Sequence, residues 1–113
     1  MMTNPPSAKD ELFTWLRHMN KYKGSDLFIT TNFPPAMKVD GKITPITDEP
    51  LTSEKCMEIA FSIMSTKQIE EFSSTNECNF AISLPDTSRF RVNAMVQRGA
   101  CLLYTSLMAR GRR

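Results

Sequence analysis

Only three cysteines occur in the 113 residues, Cys56, Cys78 and Cys101. They form no CxxC pair and have no neighbouring histidine pair, which disfavours both a zinc site and a disulfide framework and fits a reducing, cytoplasmic setting. Glycine is equally scarce. The four glycines, at 24, 41, 99 and 111, never satisfy GxxxxGK[ST], so the chain has no Walker A loop to cradle a nucleotide's phosphates. No stretch approaches the roughly 20 apolar residues needed to span a bilayer, and no charged segment followed by an apolar run opens the chain. Charge of one sign is also missing. With 14 basic and 12 acidic residues spread along the sequence, bulk electrostatics gives no nucleic-acid footprint, and the basic end at Arg110, Arg112 and Arg113 reads as a solvated tail. The single histidine, His18, has no Cys, Asp or Glu at ligand spacing, and no nucleophile and base pair is apparent.

The apolar content is substantial: 41% of residues are hydrophobic, including seven Phe, eight Met and one Trp. That offsets the ordering entropy of one domain of this length, with the methionines mostly at helical core spacing as gap fillers. After a flexible lead-in over 1–7, Ser7 can cap a helix over about 8–22, with Leu12, Leu16 and Met19 at helical spacing and Gly24 as a left-handed stop. Leu27 to Thr31 reads as a strand ended by Pro34-Pro35. Met37, Val39 and Ile43 alternate about Asp40-Gly41, a dipeptide suited to a tight hairpin. Thr52, then Ser65 with Gln68, cap two further helices carrying Met57, Phe61, Met64, Ile69 and Phe72. From Cys78 the period becomes two: Cys78, Phe80 and Ile82 alternate until Leu84-Pro85-Asp86 turns the chain, and Phe90, Val92, Ala94 and Val96 alternate on the return. Ala100 to Tyr104 supplies a last strand. The order predicts an α+β domain, a mainly antiparallel sheet with helices on one face.

The same alternation puts Arg89, Arg91 and Asn93 together on the face away from the core. Two guanidiniums on one surface can grip a phosphate through paired hydrogen bonds, and Arg98 just beyond could add a third. Spacing alone favours the plainer reading, a solvated charged face. Asp26, at the start of the first strand, is expected to pair with Arg89 or Arg91.

Four phrases carry a family resemblance: Gly24-Ser25-Asp26-Leu27-Phe28-Ile29, Pro34-Pro35-Ala36-Met37-Lys38-Val39-Asp40-Gly41, Glu77-Cys78-Asn79-Phe80-Ala81-Ile82 and Arg89-Phe90-Arg91-Val92-Asn93-Ala94. In order and spacing they resemble the PAS-like N-terminal domain of the pilus retraction ATPases of the PilT and PilU type. Phe28, where PilT-type proteins tend to carry His, and the phrase ECNFAIS point toward the PilU-like branch. The resemblance covers about 10–100 and implies a PAS-like domain over 8–100, whereas 101–113 departs from it, as a truncated or non-native end would.

The resemblance implies a cytoplasmic homo-hexameric motor at the inner-membrane base of a pilus, using ATP and Mg2+ on a RecA-like domain that this chain does not include. It implies as partners the pilus inner-membrane platform and a second retraction motor. Arg89, Arg91 and Arg98 are then the candidates to contact nucleotide phosphate, and the chain alone is expected to bind no cofactor and hydrolyse no ATP. Two other readings fit the α+β pattern. One is a free-standing PAS-like sensor with a ligand cavity among Phe28, Phe61 and Phe80; the other is a piece of a related pilus assembly or type II secretion ATPase.

Overall fold

The structure, a computed structural model, describes residues 7–85 and 88–110. Helix α1 (Ala8–Lys21) begins where the Ser7 hydroxyl accepts from the Asp10 amide at 3.1 Å, and its buried stripe is Leu12, Trp15, Leu16 and Met19. Helix α2 (Ser53–Ser62) is capped by Thr52, and α3 (Thr66–Thr75) by a reciprocal capping box between Ser65 and Gln68. Each cap satisfies amides that the first turn leaves without helical partners. The helix-stop reading is corrected in one detail. Lys23, at φ 60°, takes the left-handed conformation, while Gly24 is required for close approach: a Cβ there would sit 2.6 Å from Met19 Cγ.

Six strands follow: β1 (Asp26–Thr30), β2 (Ala36–Val39), β3 (Lys42–Pro45), β4 (Glu77–Ser83), β5 (Ser88–Gln97) and β6 (Ala100–Arg110). They form one antiparallel sheet in the order β3-β2-β1-β6-β5-β4. Two-residue turns join β2 to β3 and β5 to β6. Asp40 and Gly41 have φ of 51° and 78°, and Arg98 and Gly99 have 55° and 80°, the paired positive values of a turn whose twist matches its strands.

The last strand is longer and more central than the apolar run predicts. β6 continues to Arg110 and pairs with β1 on one side and β5 on the other, so the C-terminal strand joins the two halves of the sheet. All three helices cover one face, the expected α+β architecture. The core between the layers holds Leu27, Ile29, Phe72, Phe90, Val92, Ala94, Cys101 and Leu103. At about 25 cal/mol per Å2, burial of these side chains is the dominant favourable contribution to the fold. The Leu84-Pro85-Asp86 turn falls partly, and the residues 1–6 and 111–113 wholly, outside the described residues.

Candidate functional site on the open sheet face

The face away from the helices carries the exposed arginines of β5 and the Asp26–Tyr104 pair. Along β5 burial alternates strictly, with Phe90, Val92 and Ala94 buried and Arg89 and Arg91 exposed. Residues two apart on a strand stand about 7 Å apart on one face, so the two guanidiniums can converge on one anion. Among the described residues, neither forms an ion pair with an acidic side chain. Two guanidiniums on one face can bind a phosphate through several charge-assisted hydrogen bonds.

Arg98 does not join them. It occupies the β5–β6 turn, seven residues from Arg91 along an extended strand, a separation of about 23 Å. The three arginines are thus two separate features, because a straight strand carries its ends apart.

Asp26 is engaged elsewhere than expected. Its carboxylate accepts from the hydroxyls of Ser25 and Tyr104, and it forms no ion pair with Arg89 or Arg91. Register explains this: Asp26 and Arg91 both lie opposite Ser106 of β6, on its two sides. One whole strand separates them, about 10 Å between backbones. Lys38 is the residue directly opposite Asp26 on β2, giving a transverse row Lys38, Asp26, Ser106, Arg91. In the next row Phe28 and Tyr104 stack with ring centroids 5.2 Å apart. The Tyr104 phenol is held above its usual pKa, chiefly by its hydrogen bond to Asp26 and then by burial.

Sequence reasoning missed Tyr104. Its position in β6 beside Phe28 and Asp26 becomes visible only when the last strand is placed between β1 and β5. The cavity proposed among three phenylalanines is not formed. Phe28 faces the open side, Phe80 pairs with Val92 on the covered side, and Phe61 packs edge-on against Phe72. A sheet lies between the first ring and the other two. As for a metal, no group of three His, Cys, Asp or Glu side chains stands ready to hold one among the described residues. The arginine face therefore fits the phosphates of a nucleotide, while the donor set for its magnesium is not found there.

No protein-family model matches the chain. Among curated proteins, the type IV pilus ATPase PilU of Pseudomonas aeruginosa is 47% identical over 83 residues, 74% of this chain and 22% of the relative. The type IV pilus retraction ATPase PilT of the same organism is 34% identical over 88 residues, 77% of this chain and 26% of the relative. Among solved structures, the pilus retraction motor PilT with bound ADP superimposes with a TM-score of 0.76 at 25% identity, covering 84% of this chain and 28% of that one. The ATPase DotB of Legionella pneumophila follows with a TM-score of 0.69 at 23% identity, over 96% of this chain and 31% of that one, and shares the fold alone.

Fold and sequence together define the class: the chain is homologous to the N-terminal part of the type IV pilus ATPases. Within that class it stands nearer to PilU than to PilT. It spans about a quarter of the length of these curated relatives.

Proposed function

We propose that this domain serves a cytoplasmic pilus retraction motor, presenting Arg89 and Arg91 to the phosphates of ATP held with Mg2+ on a RecA-like domain. The observation that carries this reading is the pair of exposed guanidiniums on one face of β5, without acidic partners among the described residues. A guanidinium pair brought to a γ-phosphate stabilises the charge of the transferring group and registers its loss. In this reading Arg98, at the far turn, meets a separate acidic or phosphate group across a domain or subunit boundary. The motor is a homo-hexamer at the inner-membrane base of the pilus, docked on the platform there and acting with a second retraction motor.

The test is steady-state ATP turnover of the full-length hexamer carrying Arg89→Gln, Arg91→Gln or Arg98→Gln, with melting temperature and hexamer content measured in parallel. Loss of an arginine finger in phosphoryl transfer costs on the order of 10³-fold, so a loss of that scale at Arg89 or Arg91 with an intact hexamer is expected. Parent-like turnover in all three variants overturns the reading and leaves a solvated charged face.

A further inference from the structure

We propose that Cys56 and Cys101 form a reversible thiol–disulfide site which, when oxidised, locks helix α2 to the central strand β6. The two residues are 45 apart in sequence, yet the Cys56 sulfur lies 3.2 Å from the Cys101 carbonyl oxygen and 3.6 Å from that of Ile29. Both side chains are fully buried. Cys101 alternates with Leu103 on the covered face of β6, and Cys56 descends onto it from α2, so the thiols approach from opposite layers of the core. A bridge between them would need their Cβ atoms within about 3.5–4.5 Å.

The surroundings hold this geometry. Thr31 clamps the Cys101 backbone, its hydroxyl accepting from the Cys101 amide at 2.9 Å and donating to the carbonyl at 3.3 Å. Each thiol also shifts the other, the Cys56 pKa downward and the Cys101 pKa upward. Cys78 is the built-in control. It lies on β4, where Ala94 of β5 intervenes between it and Leu103 of β6, and burial pushes its thiol up.

The oxidant in this proposal is a hydroperoxide, a small two-electron oxidant. The Cys56 thiolate attacks one peroxide oxygen, the O–O bond breaks, and the departing hydroxide leaves as water with the former Cys56 proton; Cys56 is left as a sulfenic acid. The Cys101 thiol then attacks the Cys56 sulfur, giving up its proton to the departing hydroxide as it does so. The S–S bond forms, the S–O bond breaks, and a second water carries off the Cys101 proton. Two thiols have lost two electrons and two protons to one hydrogen peroxide. A thiol reductant reverses the bridge by exchange.

The test treats the chain with hydrogen peroxide, then reads intact mass, non-reducing peptide maps and thermal melting. The expected result is a mass lower by two hydrogens, one cross-linked peptide pair containing Cys56 and Cys101, a free Cys78, and reversal by dithiothreitol. Closing a loop of this size should raise the melting midpoint by about 10 °C or more. A Cys78→Ala chain must behave the same way. The inference is overturned by any of several results: a bridge through Cys78, sulfinic acid at Cys56 without a cross-link, thiols still free in mild urea that loosens α2, or a midpoint that falls on oxidation. Because peptide mapping is done on the parent chain, the outcome does not depend on whether a Cys56 or Cys101 variant folds.

Discussion

Tyr104 donates its phenolic hydrogen to the Asp26 carboxylate, and losing that proton would set two negative charges side by side. The folded pKa of Tyr104 is accordingly raised above the ordinary value near 10. A raised value means that this contribution to stability is complete below about pH 10 and is lost as the pH climbs through the folded value. Parent protein should therefore lose more stability than Tyr104→Phe between about pH 9 and 11, as urea melts at each pH would show. A double-mutant cycle of Tyr104→Phe with Asp26→Asn should give a coupling of about 0.5–1.5 kcal/mol, and one of Asp26→Asn with Arg91→Gln should give none. A second residue works against the fold. Thr105 is fully buried in β6 and its hydroxyl has no hydrogen-bond partner, so Thr105→Val, nearly equal in shape, should stabilise the domain by about 1 kcal/mol in chemical denaturation.

Strand β5 separates two roles on alternate residues. Phe90→Ala empties a fully buried site and should cost about 3–5 kcal/mol, whereas Arg89→Gln and Arg91→Gln, on the exposed face, should change stability by no more than about 0.5 kcal/mol. Equal losses from both kinds of substitution would contradict the assignment of faces. The element most exposed to damage is β6. It is the one strand joining β3-β2-β1 to β5-β4, so a chain ending at Gly99 leaves β1 and β5 with unpaired inner edges and half-uncovered apolar faces. Such a chain should show no cooperative thermal transition and a largely unfolded circular dichroism spectrum. Native-like melting would show that the half-sheets hold together through the helices alone.

For the molecule as a whole, phosphate cradling and phosphate sensing are separable tasks. Arginines can respond to a γ-phosphate only where another part binds it, and no GxxxxGK[ST] loop occurs in these 113 residues. The chain by itself should therefore hydrolyse ATP at no more than the background rate, measured by phosphate release after stringent purification. Turnover that survived purification would require a nucleotide site of a different kind.

Local order was legible in the sequence because its causes are local. Ser7, Thr52 and Ser65 cap helices through their own neighbours, Asp40-Gly41 makes its turn from its own backbone preferences, and the period-two pattern through Phe90 and Val92 determines which side of a strand is apolar. The family resemblance rests on the same kind of short phrase. What the sequence could not contain is adjacency between distant segments. Strand order decided that Tyr104, not an arginine, receives the Asp26 carboxylate, because β6 enters between β1 and β5 and keeps Arg91 one strand away. Strand length decided that Arg98 stands far from Arg89, and layer packing brought Cys56 onto Cys101. Hydrogen-bond register and the packing of helices on a sheet are properties of pairs of segments, so only the folded chain determines them.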